Sequence, residues 1–535
     1  MDLTRRRLLG LAGASATMIG FYSTGLSHGR AWAAPRFAND PFRLGVAAGD
    51  PTTDGFVLWT RLAPDPLAVD GRGGLPERTV AVEWQVATDE RFRQVVKSGT
   101  AQAVPELAHS VHPEVRGLRP GRDYFYRFRA GGAISPVGRA RTAPSPIDLG
   151  TGSLSFAFAS CQAWYEGFYT AYRHMAGAAH DLVVFLGDYL YEYGVGPTAG
   201  CRNTTLPAQY QRETYSLVEY RNRYALTKLD ADLQAAHAAA AWVLTADDHE
   251  VENNWAADVA EPDDDGFPDG DPAAFRRRKA GAFQAYYEHL PLRLPQKPTG
   301  SRIQLYRRLP FGSLMDLHVL DSRSYRSDQV AGDGTGPERD RQRRDPRRSI
   351  LGTRQEAWLV DGAARSTATW NVLANQTLIA QVNQRPDPAD PSWGTDMWDG
   401  YVASRDRVLG GFHQRGVPNV VALTGDIHRS TVADLKLDFD DEHSPVVGTE
   451  FAGTSISSGK DGAPTDTIGV AWMTPGVNPH LKWHNAQRGY TSVRLDHRQL
   501  QAEYHVAGYV SRRGGPVTTA ARFVVESGRP GAQQA

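Results

Sequence analysis

Three apolar runs in this chain end in residues able to do chemistry. Trp242-Val243-Leu244-Thr245-Ala246 leads into Asp247-Asp248-His249, Leu182-Val183-Val184-Phe185-Leu186-Gly187 into Asp188 with Tyr191 beyond it, and Val420-Val421-Ala422-Leu423-Thr424-Gly425 into Asp426 and His428. A buried strand that stops at charged groups delivers them to its carboxyl end, where open α/β sheets place their sites. Two further runs behave alike: 154–160 ends at Cys161, and 369–374 ends at Asn375 and Gln376. Thiolate, phenolate, carboxylate and imidazole form a ligand set for a ferric-type ion, while carboxylates and amide oxygens suit calcium. Two ions fit this set better than one. Asp188 is the candidate bridging carboxylate, because Tyr191 follows it at a spacing that returns to the same ion. Two metals about 3.5–4 Å apart can hold a phosphoryl group in line with a metal-activated hydroxide. The reaction implied is hydrolysis of a phosphate ester, with His249 placed to protonate the leaving oxygen.

Each of these residues also has an ordinary structural use. Asp-His pairs cap helices, Tyr191 stands between the aromatic neighbours Tyr189 and Tyr193, and Asn253 and Asn254 can close a loop. The argument for chemistry is their joint position after strands. Within the first cluster, Asp248 is the expected ligand, Asp247 its hydrogen-bonded support and His249 the proton donor. Arg323 is the candidate phosphate holder, since a planar guanidinium can pair two phosphate oxygens; an ion pair with Asp321 is its alternative use.

The elements that must position these groups follow from periodicity. Residues 42–145 carry short alternating strands, among them Gly55 to Arg61, Val80 to Ala87 and Tyr124 to Arg129, which predicts a small β-sandwich. Thr142-Ala143-Pro144-Ser145-Pro146 reads as a linker. From about 150 to 527, strand-like runs alternate with helical ones, the pattern of an α/β sheet. Helices are expected over 165–178, 217–240, 353–366 and 402–414, and another after Asp271-Pro272, which supplies an N-cap and a first-turn proline. Strands are expected near 303–321, 369–377, 418–426, 488–496, 501–508 and 520–526.

The first 33 residues read as a processing segment. Thr4-Arg5-Arg6-Arg7-Leu8-Leu9, a weakly apolar stretch and Ala31-Trp32-Ala33 have the layout of a twin-arginine export signal with a cleavage site. No other run has the length of a spanning helix, so a secreted protein without a membrane anchor after processing is expected. In 535 residues the formal net charge is -1, which excludes a global attraction to nucleic acid or anionic membrane. The two cysteines, Cys161 and Cys201, sit in unlike settings, which argues against pairing them although an exported chain permits it. The acidic loop 261–266 resembles the start of a calcium loop, but Pro272 stands where its bidentate acid belongs. That loop and the mixed-charge run 338–348 are read as solvated surface.

Ser160-Cys161-Gln162, Gly187-Asp188-Tyr189-Leu190-Tyr191-Glu192, Asp247-Asp248-His249-Glu250-Val251-Glu252-Asn253-Asn254-Trp255 and Gly425-Asp426-Ile427-His428 together resemble the motif series of the alkaline phosphatase D (PhoD) family. Phe42 to Pro51, Trp398 to Tyr401 and Phe451 to Ser455 resemble further segments of it, so the likeness covers nearly the whole mature chain. The resemblance implies a calcineurin-like metallophosphatase α/β sandwich flanked by helices, preceded by a fibronectin-like all-β domain. It implies iron held by Cys161, Asp188, Tyr191 and His428. It implies one or two calcium ions on Asp188, Asp248 and Asp426, with Asn375 or Gln376 as a further donor. A secreted phosphomonoesterase with phosphodiesterase activity is the expected function, with a phospholipase D and an exported metal-stabilised binding module as the alternatives. The expected partners are a phosphate ester or phospholipid substrate and the twin-arginine export machinery, and the expected state is a monomer.

Overall fold

The structure is a computed structural model that describes residues 36–535 apart from 147–151, 197–199, 262–267, 269 and 331–336. The expected export signal and most of the acidic loop at 261–266 lie outside the described residues. Residues Arg36–Ala535 form one compact unit.

The strands that carry the candidate residues fall into two sheets. In the larger, eleven-stranded sheet, Leu182–Phe185 lies between Leu154–Ala159 and Ala241–Leu244, parallel to both. In the seven-stranded sheet, Met315–Val319, Trp370–Ala374, Val420–Thr424 and Val446–Ala452 run parallel in that order. Strands buried on both faces favour apolar runs, as Leu182–Phe185 and Ala241–Leu244 are. Met315–Val319, Trp370–Ala374 and Val446–Ala452 interrupt theirs with Asp316, His318, Asn371, Thr449 and Glu450. Side chains alternate across a strand: Phe156, Phe158, Val184 and Val243 pack against Leu317, Val319, Val372 and Val421 in one core between the sheets.

The opposite faces are covered by helices. Val183, Phe185 and Trp242 meet Tyr220, Tyr224, Leu233, Phe283 and Tyr286, which come from helices Leu217–Lys228, Ala231–Ala239 and Pro272–His289. Leu373 and Ala422 meet Leu359, Val408 and Phe412 of Thr353–Ala364 and Val402–Gln414. The fold is thus an α/β sandwich of two sheets flanked by helices. The single helix expected over 217–240 is two, because Asp230 accepts from the backbone N–H groups of Asp232 and Leu233 and caps a new helix. Asp271 caps Pro272–His289 as expected.

The N-terminal strands divide between layers. Val80–Ala87, Val95–Ala103 and Asp123–Ala130, with two short strands, make a separate five-stranded sheet. Val46–Thr52 instead joins the large sheet, parallel to Ala241–Leu244, and carries Gly55–Arg61 with it. The small sheet packs on this extension through Phe56, Leu58, Val82, Val86, Tyr126 and Phe128. Backbone pairing therefore ties the first strands to the strand that ends at the Asp247-Asp248-His249 cluster. In the run 338–348 Arg343 is buried rather than solvated, with Nε donating to Asp340 at 2.8 Å. Both cysteines are free.

Candidate active site

Each strand end turns sharply to present its side chain. Cys161, Asp188, Asp426 and His428 all have positive φ, between 53° and 67°. This is a conformation that non-glycine residues adopt at a steric cost and that clusters at functional sites. Close approach of the neighbouring turns requires glycine at two positions. A Cβ on Gly187, whose φ is +116°, would lie 2.4 Å from Asp247 Cβ, and one on Gly425 would lie 2.7 Å from Ser160 Oγ. The glycines before Asp188 and Asp426 thus let loops from separate strands converge.

Glu250 fixes the convergence from beneath. Its buried carboxylate accepts from Tyr189 N at 2.7 Å, Asp188 N at 3.1 Å and Asp247 N at 2.8 Å, so one side chain clamps two strand ends. Burial pushes its pKa up to about 7 despite those donors.

Three overlapping groups of potential ligands result: Cys161, Asp188 and His428; Asp188, Asp248 and His249; Asp247, Asp248 and Asp426. Within each group the donor atoms lie within 4.8 Å of one another. Tyr191 joins the first group, since its hydroxyl donates to Asp188 Oδ2 at 3.0 Å and lies 3.0 Å from His428 Nε2. Ser458 Oγ donates to the same phenolic oxygen at 2.9 Å.

The electrostatics call for cations. Burial first, and then the carboxylates of Asp248, Asp247 and Glu250, hold the Asp188 carboxyl well above its ordinary range. Burial and the Asp247 and Asp248 carboxylates do the same to Asp426, and burial with Asp188 raises the Cys161 thiol. Burial also lowers His428 to about 3, which leaves a neutral ring able to ligate. Asp188 Oδ1, Asp247 Oδ2, Asp248 Oδ1 and Gln376 Oε1 are buried without a hydrogen-bond partner. Buried acceptors without partners are costly unless something binds them. Soft and hard donors side by side fit metal ions of two kinds.

His249 belongs to one of these groups and has a further partner of its own. Its Nδ1 lies 2.7 Å from Glu192 Oε2, and a carboxylate only accepts, so Nδ1 carries a proton. Glu192 is itself held by the Asn253 amide at 2.7 Å. Burial works against a charged ring here, but Glu192, Asp248 and Asp188 outweigh it and His249 titrates well above its ordinary value.

Arg323, the expected phosphate holder, is engaged by carboxylates. Its guanidinium is buried, with Nε donating to Asp247 at 2.6 Å and both terminal nitrogens donating to Asp396 at 2.7 Å. Asp248 lies 3.5 Å from it. The alternative pairing with Asp321 is met only by the Arg323 backbone N–H. Carboxylates thus take three of the five N–H donors of its guanidinium. Asn375 turns its amide to Thr377 and Thr424 and its carbonyl to Trp398 Nε1 at 3.3 Å. Its neighbour Gln376 donates to Thr245, Ala246 and Leu320 and leaves its oxygen without a partner.

Sequence reasoning passed over Glu192, Glu250, Asp396 and Ser458. The first two sit inside the motifs that had been singled out, adjacent to Tyr191 and His249, and their acidic type was the available signal. Asp396 and Ser458 lie in irregular segments with no pattern to point at them.

The comparisons with known proteins agree with this geometry. Residues 156–504 match the family model described as PhoD-like phosphatase, and residues 29–144 match that of the PhoD-like phosphatase N-terminal domain. The chain is similar to alkaline phosphatase D of Bacillus subtilis (strain 168), at 45% identity over 501 residues, 93% of this chain and 83% of that protein. It is also similar to a solved structure of PhoD, with a TM-score of 0.87 and 44% identity over 94% of this chain and 93% of that one. Convergent strand ends, a shared ligand cluster and a match that spans both regions of the chain make this protein a member of the PhoD-like phosphatase family, and a phosphatase.

Proposed function

We propose that the protein hydrolyses phosphate esters outside the cytoplasm, with iron held by Cys161, Asp188, Tyr191 and His428 and one or two calcium ions on Asp188, Asp248 and Asp426. The observation that carries this reading is the overlap of the ligand groups: Asp188 belongs to both the Cys161–His428 group and the Asp248–His249 group. A carboxylate shared in this way is what a multinuclear centre needs. Gln376, with its free carbonyl oxygen, is the better amide donor than Asn375. Export rests on the Arg5-Arg6-Arg7 segment, and no helix among the described residues is long and apolar enough to cross a membrane.

Bound there, the ions supply Lewis acidity towards phosphoryl oxygens and lower the pKa of water. The chain does the rest. Glu192 fixes the proton of His249 on Nδ1 and raises the basicity of the ring, so that the other nitrogen can give a proton to the leaving oxygen. Arg323 acts as a positioning residue, orienting Asp247 and Asp248 rather than touching substrate. Glu250 holds the backbone on which Asp188 and Asp247 stand.

Metal analysis and turnover test this together. The purified protein is assayed on a phosphate monoester, a phosphodiester and phosphatidylcholine, with and without chelator and added calcium. Iron and calcium should be found, and chelation should abolish release of phosphate from the monoester. Zinc alone, or activity that survives chelation, would refute the metal assignment. Choline release from phosphatidylcholine at a higher kcat/KM than monoester turnover would move the function to a phospholipase D.

A further inference from the structure

The small N-terminal sheet contains a cavity of about 800 Å³ that shares no residue with the candidate active site. Its walls carry four cationic side chains, Lys97, Arg119, Arg122 and Arg141, and one carboxylate, Asp123. That carboxylate is already used, since Arg139 and Arg141 both pair with it, at 2.7 and 3.0 Å. Lys97, Arg119 and Arg122 make no side-chain ion pair or hydrogen bond among the described residues. In a chain with a formal net charge of -1, such a gathering of unneutralised cations is a local feature rather than a property of the surface.

The backbone that carries the cations is ordered. They come from separate segments: Lys97 from the Val95–Ala103 strand, Arg119 and Arg122 from the turn before Asp123–Ala130, and Arg141 from Gly138–Arg141. The turn is clamped by its backbone. Arg119 N donates to Tyr124 Oη at 2.9 Å, Arg122 N donates to Thr142 Oγ1 at 3.1 Å, and Thr142 Oγ1 donates back to Arg119 O at 2.7 Å. A Cβ on Gly117 would meet Lys97 Nζ at 3.0 Å, so the ammonium sits over this same turn. Backbone order fixes where the cationic ends can reach, while the exposed Arg119 and Arg122 side chains keep rotamer freedom that binding would remove.

We infer that this cavity is a second anion site, which takes a linear polyphosphate chain. Guanidinium groups pair phosphate oxygens in the plane and an ammonium serves as a point charge. Cations spread around a concave wall suit consecutive charges along a chain better than a flat surface. The inference stands apart from the metal-centre reading, since binding here needs neither metal nor turnover.

The test measures binding of an end-labelled linear polyphosphate to the metal-loaded full chain by fluorescence anisotropy, in a His249→Ala background that slows cleavage. The Lys97→Ala/Arg119→Ala/Arg122→Ala variant should bind about tenfold more weakly and with a shallower salt dependence. The same triple substitution in the wild-type background should leave kcat/KM for a small monoester unchanged. A control removes the exposed cations Arg78, Arg91 and Arg93, which lie outside the cavity. Equal affinity of the triple variant and its parent would overturn the proposal, as would an equal loss in the control, which would mean general charge attraction. A parallel loss of small-ester kcat/KM would place the effect in the fold and overturn it too. Vesicles of phosphatidylglycerol that bind the parent and are released by the triple variant, with polyphosphate unbound, would show a membrane contact instead.

Discussion

Glu192 Oε2 lies 2.7 Å from His249 Nδ1, while the other oxygen of the same carboxylate holds the Asn253 backbone at 2.7 Å. The histidine is thereby fixed in orientation and tautomer by a residue that touches neither substrate nor, in our assignment, metal. Replacing His249 with Ala should lower kcat by about 10²–10⁴-fold, the usual worth of a general acid, with iron content near normal. Glu192→Gln should lower kcat by a smaller factor, because the amide can still accept but no longer stabilises the protonated ring. Metal analysis of both variants is the check, and loss of iron on removing His249 would return it to the ligands.

Arg323 joins the buried Asp247 to Asp396, whose side chain is 19% exposed. Arg323→Ala should destabilise the protein by about 3–5 kcal/mol, because it leaves carboxylates without their counter-charge, and should reduce calcium content. Arg323→Lys keeps the charge but not the paired geometry with Asp396, so it should retain most stability and lose part of the metal. Denaturant unfolding and metal analysis separate the two effects. A variant with intact stability and metal but a raised KM would restore Arg323 to phosphate binding.

Gly187 has no room for a side chain, with φ at +116° and Asp247 Cβ 2.4 Å from where a Cβ would lie. Gly187→Ala should cost at least about 2 kcal/mol from strain and displacement of the Asp247 turn. Activity should fall further than stability alone explains, which thermal unfolding and kcat measured side by side would reveal.

His318 offers a pH-dependent stability away from the metal cluster. Its Nδ1 accepts from Arg308 Nε at 3.1 Å and its Nε2 faces Asn371 Oδ1 at 3.2 Å, so the ring is neutral. Burial, and then Arg308, lowers its pKa from 6.5 to about 4. The unfolded chain takes up this proton first as pH falls. The stability from a neutral ring is therefore complete above pH 6.5 and is lost between 6.5 and about 4, by an amount on the order of 3 kcal/mol. The slope of unfolding free energy against pH should flatten in this window in His318→Gln. An unchanged slope would assign the acid sensitivity to other groups.

The apolar runs 182–186, 242–244 and 420–423 were legible as buried strands because a two-faced core leaves no polar positions within them. Their abrupt ends at Asp188, Asp247 and Asp426 marked the site for the same reason. Asp271 and Pro272 announced a helix start through local chemistry alone. The division of 217–240 into two helices was hidden, since the apolar period continues across Asp230 while only its side-chain bonds reveal the cap. The joining of Val46–Thr52 to Ala241–Leu244 was equally hidden, because strand partners far apart in sequence leave no local trace.

What the sequence determined by itself was the set of chemical groups at the strand ends and the family to which they belong. Residue type and position after a buried strand carry that information, and they are local properties. The tertiary structure decided the partners. It gave Arg323 Asp247 and Asp396 as partners, gave His249 to Glu192, and left Gln376 rather than Asn375 with a free oxygen. Those outcomes depend on which charges meet in a buried volume, and the meeting is set by sheet register and turn geometry across hundreds of residues.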